Sequence, residues 1–415
     1  MTSSAPSSRD RLLVLGCGFG GYSLLLDLDR ELYDVALVSP RNYFLFTPLL
    51  PSAASGTVEL RSILEPVRRR LSGIRMIEGT VESLDLTARR AAGRAAVGGE
   101  EFELPFDLLV VAVGARVTDY GIPGVAEHAL QAASIEDAQA IRRAVLEQFA
   151  QAELPGLAPE EVARRLTFVV CGGGPTGVEV AAELEDLLAD DMKRSHPATA
   201  HLARVVLLEA GERLLSSYDE ALSEYTREHF ERERIEVRTG VPVVRVWRES
   251  VRLEDGETID CGRVIWAGGN GPLPLTRTIA PEGSPQGRIP VDDYLRLPGR
   301  GDIWALGDCA ALGDPPLPAT AQVAQQQGKY LARALNRRAR GRQVKPFRFR
   351  PLGMLAYVGA GRALIQTSAG QWTGRGAWLL WRSIYLTKLV SFSNKVKVLF
   401  DWFKARVFGR DISRF

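Results

Sequence analysis

Cysteine is scarce in this chain and badly spaced for chemistry. Its four residues, Cys17, Cys171, Cys261 and Cys309, include no pair at CxxC or CxxxxC spacing. That argues against a redox dithiol and a zinc knuckle, and no metal site is expected. So few free thiols suit a reducing compartment. Long apolar runs are also missing. None approaches the roughly 20 residues of a spanning helix. The opening stretch, MTSSAPSSRDR, has neither an apolar signal region nor a long Arg-rich presequence. The expectation is a protein that is neither exported nor membrane-spanning. Excess charge of one sign is absent too. A net charge of +2 argues against global binding to polyanions, nucleic acid included. What remains is an ordinary globular composition over 415 residues, enough for two or three domains.

Patterned glycine is what the chain does have. Residues 12–21 read LLVLGCGFGG, an apolar run ending in Gly16, Gly18 and Gly21. An apolar stretch, Tyr22 to Leu28, follows and is expected to start a helix. Strand, G-x-G-x-x-G turn and helix together are the setting in which a pyrophosphate meets a helix N-terminus. Gly16 allows the turn, Gly18 clears space for phosphates, and Gly21 lets helix and strand close up. Orphan N–H groups and the helix dipole complement the charge. Alone, this motif also fits a Gly-rich turn in any α/β protein. A second copy, LTFVVCGGGPTGVEVAAEL at 166–184, repeats the spacing with Gly172, Gly174 and Gly177. Two such sites imply two dinucleotides.

The strands after the two turns end differently. DVALVS, 34–39, ends in Ser39-Pro40 where the fingerprint expects an acid for a ribose hydroxyl. Ser39, with Arg41 nearby, is a weaker contact for an adenosine ribose. VVLLE, 205–209, does end in an acid. Glu209 fits the 2′-hydroxyl of a nicotinamide ribose and repels a 2′-phosphate, favouring NADH over NADPH; the alternative is a solvated strand-end acid. The wide spacing from glycines to Glu209 places a longer helix and loop in 189–204.

Between these units, 41–56 (RNYFLFTPLLPSAASG) is apolar, lacks helical periodicity and holds two prolines. It reads as a wall for a flat aromatic ligand or as a buried connection. A short helix is expected over 62–70, with strands near 75–82 and 86–104. DLLVVAVG, 107–114, is a buried parallel strand ending in Gly114. Ser134 reads as the N-cap of a helix running to about residue 153, and 155–159 as a linker. Strands near 235–265 close the second unit, and VIWAGG, 264–269, repeats the strand-to-glycine ending. DIWALGD, 302–308, ends in Asp308, which can accept bonds from a ribityl hydroxyl or cap a helix. The following helix carries Gln322, Gln325, Gln326 and Gln327. Gln322 and Gln326 share a face, either beside a flavin or in solvent.

The last forty residues, 376–415, hold eight Lys or Arg, two Asp and many aromatics. Val396, Leu399, Phe403 and Val407 fall on one helical stripe flanked by Lys397, Lys404 and Arg406. Such a helix suits a membrane interface; the alternative is docking on its own domain or a second subunit. Each Lys or Arg near anionic lipid adds up to about 1 kcal/mol.

Taken together, these features resemble the type II, non-proton-pumping NADH:quinone oxidoreductases of the two-dinucleotide-binding flavoprotein superfamily. The likeness is greatest to the alternative dehydrogenases of yeast and plant mitochondria and covers nearly the whole chain. It rests on SPRNYFLFTPLLPSAASGTVE, VVCGGGPTGVEVAAEL, PPLPATAQVAQQQGKYLA, PFRFRPLGMLAYVGAGRA and KVLFDWFKARVFGRD. Ser-Pro after the second strand is familiar in that branch, so Ser39 does not oppose FAD in the first site. The resemblance implies an α/β fold with two Rossmann-like domains, the FAD domain interrupted by the NADH domain, and an amphipathic helical membrane-anchoring region. The implied bounds are a polar tail at 1–10, FAD domain at 11–118 and 267–335, NADH domain at 119–266, and a membrane and quinone region at 336–415. Non-covalent FAD would be bound by Gly16, Gly18, Gly20, Gly21, Ser39, Arg41, Thr47, Pro48, Val81, Gly114, Asp308 and Gln322. NADH would meet Gly172, Gly174, Pro175, Thr176, Gly177, Glu179, Glu209 and Gly269. Glu179 matches an acid near the nicotinamide–flavin contact. Gln322, Gln325, Gln326 and Tyr385 would serve the quinone, and Glu179 with the three glutamines is the implied catalytic set. Gln325 replaces a histidine of some relatives, which puts proton donation there in doubt. The resemblance also implies a homodimer. Because the chain shows no presequence or EF-hand insertion, the expected location is the cytoplasmic face of a bacterial plasma membrane, as a peripheral protein bound through 376–415. A sulfide:quinone oxidoreductase, kept open by Cys309, and a non-catalytic NADH-binding signalling flavoprotein are the alternatives.

Overall fold

The computed structural model describes residues 9–414; most of the expected polar tail, residues 1–8, lies outside them. The chain divides into two compact units. The first takes 1–45, 65–116 and 270–351, and the second takes 46–64, 117–269 and 352–415.

In the first unit, strand Arg11–Leu15 lies between Asp34–Ser39 and Leu108–Val111, parallel to both. Arg75–Asp85 extends the parallel sheet beyond Asp34–Ser39, and Ile303–Ala305 extends it beyond Leu108–Val111. Arg90–Ala95 and Glu101–Pro105 add an antiparallel meander at one edge. The central strands are buried on both faces, so they read as unbroken apolar runs. Leu13, Leu15, Val38, Leu109, Val111 and Ile303 form the core beneath them. The first helix, Phe19–Asp27, begins earlier than the expected residue 22, because Gly18 already serves as its N-cap. It packs on helix Ala321–Ala339, with Gly328 set directly against the Gly20 carbonyl.

The second unit repeats the plan with a five-stranded sheet. Its parallel order is Leu130–Gln131, Arg263–Trp266, Thr167–Cys171, Arg204–Glu209, Ile235–Thr239. Val169, Val206 and Val264 anchor one core. Helix Ile135–Ala152 starts as expected: Ser134 Oγ accepts the Asp137 N–H at 3.1 Å and Asp137 returns the bond at 2.9 Å. Strands Met354–Gly359, Arg362–Thr367 and Gly370–Thr373 form an antiparallel meander. Helices Gly374–Lys388 and Phe392–Phe408 follow it.

Three expectations need correction. Residues 62–70 are not one helix but a turn, Leu60–Ile63, an extended piece, Leu64–Pro66, and a single helical turn, Val67–Arg70. Pro66 explains it: proline lacks an N–H and drives the preceding residue to extended backbone. Residues 41–56 do contain helix, Leu50–Ala54, with Pro51 in its first turn, where a missing N–H costs nothing. Pro159, placed at the end of a linker, opens helix Pro159–Arg165 for the same reason.

Two glycine cradles and a buried acidic helix

The two glycine turns are built by matching bonds. Gly16 N–H donates to Val38 O at 2.8 Å, and Gly172 N–H donates to Leu208 O at 2.8 Å. Ala112 N–H closes on Leu15 O at 2.8 Å, and Ala267 N–H on Cys171 O at 2.9 Å. Both opening glycines are left-handed, Gly16 at φ +95° and Gly172 at φ +113°. A Cβ on Gly16 would strike Ala112 O, one on Gly21 would strike Gly16 O, and one on Gly177 would strike Gly172 O. A Cβ on Gly18 or Gly174 would meet nothing within 4 Å. Each turn is therefore sealed at its first and third glycines and open at its second, above a helix N-terminus. That is the shape a pyrophosphate needs.

The other flavin-site expectations lie as follows. Gly20 packs on the Leu306 side chain. Ser39 is buried at its strand end, and its Oγ accepts the Arg41 N–H at 3.4 Å. Arg41 sits 5.8 Å from the Tyr43 ring centre. Val81 is buried where its strand pairing shifts register against Gly93. Gly114, at φ +75°, would carry a Cβ in open space. Asp308 stands in the turn Gly307–Cys309; burial pushes its carboxyl up, and the charge of Arg288 opposes that. Gly16–Gly21, Ser39, Arg41, Val81, Gly114, Asp308 and Gln322 all belong to the first unit, and the opening at Gly18 above a helix N-terminus has room for the pyrophosphate of a flavin dinucleotide. Thr47 and Pro48 belong to the second unit.

The glutamines divide. Gln322 and Gln325 are half-buried on the first turns of their helix. Gln326, expected at the quinone, has its amide taken by the backbone of Arg350: its Nε2 donates at 2.8 Å and its Oε1 accepts at 3.0 Å. Gln327, assigned no role from sequence, is buried and accepts the Gly307 N–H at 2.7 Å, which fixes the turn beside Asp308.

In the second unit Glu209 bridges its cradle, accepting from Gly173 N–H at 2.5 Å and Gly211 N–H at 2.6 Å. Pro175 and Thr176 open helix Pro175–Leu187. That helix carries acids at 179, 183 and 186, spaced to share one face. Glu179 is buried and accepts the Tyr357 N–H at 3.1 Å. Burial, with Glu183 nearby, pushes it up to about 8 against the pull of that bond. Glu183 accepts from the hydroxyls of Ser52, Ser55 and Thr57 at 2.5, 2.7 and 2.8 Å. Asp186 accepts from Tyr357 Oη at 2.6 Å, and burial moves it up to about 7. Arg410 closes the row, donating to Asp191 at 2.7 Å and to Thr57 Oγ1 at 2.9 Å. The Tyr385 ring centre lies 4.4 Å from that of Trp381 with the planes tilted by 43°, and burial, then Glu179 and Tyr218, hold its phenol well above its ordinary value.

The family profile described as Pyridine nucleotide-disulphide oxidoreductase matches residues 10–328, and that of the NDH2 C-terminal domain matches 352–411. A probable NADH dehydrogenase of Dictyostelium discoideum is 39% identical over 98% of this chain and 91% of its own length. The external alternative NADH-ubiquinone oxidoreductase of Yarrowia lipolytica mitochondria is 39% identical over 99% of this chain and 81% of its own. This chain belongs to the type II NADH:quinone oxidoreductases. The structure of NDH2 from Plasmodium falciparum in complex with NADH superposes with a TM-score of 0.93 at 25% identity, covering 98% of this chain and 100% of that one.

Sequence reading of this type II dehydrogenase missed Ser52, Ser55, Thr57, Tyr357 and Arg410. The acids at 179, 183 and 186 were a visible signal, since an otherwise apolar helix must find partners for acids on its buried face. Their partners come from three distant segments, which no local pattern announces.

Proposed function

We propose that this chain oxidises NADH and reduces a quinone, with FAD held in the first unit and NADH bound by the second. The observation that carries this is the pair of cradles, each sealed at two glycines and open at the one between. The chemistry a bound flavin supplies is two-electron exchange between NADH and a quinone. The chain's own part is placement. Gly18 and Gly114 would leave room for the flavin dinucleotide, and Asp308 would accept from its ribityl hydroxyls. Glu209 takes the adenosine ribose of NADH and not the nicotinamide ribose expected from the sequence, because the phosphate that distinguishes NADPH sits on the adenosine ribose, where like charge disfavours it. Glu179, held protonated near neutral pH by burial, is the acid of the site. Gln322 and Gln325 serve the quinone.

Membrane seating is part of the same proposal. No described helix is long and apolar enough to cross a membrane. Helix Phe392–Phe408 turns Asn394, Val398, Asp401 and Trp402 inward. Asn394 donates to Leu64 O at 2.8 Å, and Asp401 accepts the Glu59 N–H at 3.1 Å. Its other face leaves Phe392, Val396, Leu399, Phe403 and Val407 between 50% and 79% exposed, with Lys397 and Arg406 beside them. An apolar stripe rimmed with cations suits an anionic lipid surface. Phe403→Glu should weaken sedimentation with anionic vesicles while leaving NADH oxidation by a soluble quinone intact. Homodimer assembly and the cytoplasmic face of a plasma membrane complete the proposal, and are checked by light scattering and cell fractionation.

Sulfide chemistry is disfavoured because all four cysteines are buried. Burial pushes Cys17 and Cys261 up to about 12 and Cys309 up to about 11, far from the thiolate that such chemistry needs. The direct test mixes purified, flavin-loaded protein with NADH and a soluble quinone. Quinone-dependent NADH oxidation is expected; turnover with sulfide and not NADH would reverse the reading.

A further inference from the structure

Tyr120 is held in a conformation its residue type does not favour. It follows Asp119 in a turn closed by the Ile122 N–H on Asp119 O at 2.9 Å. Tyr120 and Gly121 are both left-handed, at φ +52° and +73°. Turns with two successive left-handed residues take Asn, Asp or Gly. A tyrosine there is strained, and packing does not offset the strain, because its side chain is 66% exposed. Strain of this kind gathers where a ligand is held.

The turn is fixed to the end of a sheet strand. Thr118 N–H donates to Gly269 O at 3.0 Å, and Trp266 Nε1 donates to Thr118 O at 2.9 Å. The Tyr120 hydroxyl lies so close over Gly269 that any Cβ at 269 would collide with it. Glycine at 269 is therefore what lets the phenol sit there.

Sheet order then says which part of a dinucleotide lies nearby. Strands Arg204–Glu209, Thr167–Cys171 and Arg263–Trp266 run side by side and parallel. A dinucleotide crosses the carboxyl ends of such strands, with its pyrophosphate at the glycine turn. Glu209 marks the adenosine side of the Gly172–Gly177 turn. The nicotinamide half must extend to the opposite side, over the end of Arg263–Trp266, where Gly269 and Tyr120 stand. We infer that Tyr120 is an NADH-binding residue, its exposed ring and hydroxyl above Gly269 forming the seat of the nicotinamide half. This rests on the reading that the second cradle takes NADH.

The test uses full-length, flavin-loaded protein and four variants, Tyr120→Ala, Tyr120→Phe, Gly269→Ala and the double variant Tyr120→Ala with Gly269→Ala. Two readouts are needed: the Kd for NAD+ by calorimetry, and KM for NADH and for quinone beside kcat. Tyr120→Ala should raise the NAD+ Kd and the NADH KM about tenfold, the size that base–aromatic stacking supports. Quinone KM should stay unchanged, and flavin content and thermal stability should not fall. Tyr120→Phe keeps the ring and should lie between. Gly269→Ala should weaken NAD+ binding in the wild-type background by displacing the phenol, and much less in the Tyr120→Ala background. Unchanged NAD+ affinity in Tyr120→Ala, or additive effects in the double variant, would overturn the assignment. Failure of the wild-type protein to bind NAD+ or oxidise NADH would instead bring down the reading on which it rests.

Discussion

The two glycine turns share their backbone bonds and differ in what stands around them. At the first, the neighbouring strand ends in a buried serine, and the helix behind the turn, Phe19–Asp27, has an apolar buried face set against Ala321–Ala339. At the second, the strand ends in Glu209, which holds one backbone N–H of the glycine turn and one of its own loop, and the helix behind carries a buried acid, Glu183, held by hydroxyls, with Arg410 paired to Asp191 beyond its end. Geometry alone would let either turn hold a pyrophosphate. The surroundings separate them: an apolar mount suits a resident group that stays, whereas a charged strand end selects a ligand that must be told apart from its phosphorylated twin.

Substitutions at the sealed glycines should break this comparison most completely. Gly21→Ala drives a methyl into Gly16 O, and Gly177→Ala drives one into Gly172 O. The first should purify with little flavin. The second should keep its flavin and lose at least about tenfold in NADH affinity, the order expected from overpacking. Flavin absorbance per chain and NADH titration separate the two. Loss of flavin from Gly177→Ala at unchanged helix content would merge the roles assigned to the turns.

Among changes in stability, the largest is expected from Arg410→Met. The guanidinium and Asp191 are both nearly buried, so removing one leaves the other uncompensated, at about 3–5 kcal/mol. Urea unfolding should show the loss. A change under about 1 kcal/mol would mean that the pair behaves as a surface bridge.

Glu209→Gln should sharpen the contrast in nucleotide choice. It removes the charge that bonds Gly173 and Gly211, worth about 1.5–3 kcal/mol for charged acceptors, and the repulsion of a 2′-phosphate. The KM for NADH should rise and that for NADPH fall; an unchanged ratio would remove Glu209 from the specificity site.

The smallest effect concerns Glu179 and pH. Its carboxyl is raised in the folded chain to about 8 from an ordinary 4.5, so folding binds a proton. Its contribution is complete below the unfolded value and is lost as pH rises through the folded one. Between about pH 5 and about pH 9, wild-type melting temperature should therefore fall more than that of Glu179→Gln. Parallel profiles would show that Glu179 titrates as an ordinary surface acid.

Both cradles were legible because each is a local device. Glycine at three spaced positions after an apolar run needs no distant partner to make the turn, and the Ser134 cap was readable for the same reason. The exposed stripe of Val396, Leu399, Phe403 and Val407 also followed from period alone. Where long-range bonds decide, sequence was silent. Gln326 looked like a ligand-facing amide until Arg350 was found against it. Glu183 needed hydroxyls more than a hundred residues away. Residues 62–70 show a nearer failure, since the backbone rule at Pro66 outweighed helix propensity.

The central claim is that one cradle keeps a flavin while the other exchanges NADH. It is tested most directly by dialysing the purified protein, then adding NADH under anaerobic conditions and afterwards a quinone, while following flavin absorbance. The account predicts one flavin retained per chain, bleached by NADH and restored by quinone. Flavin lost on dialysis, or retained but unmoved by NADH, would contradict it.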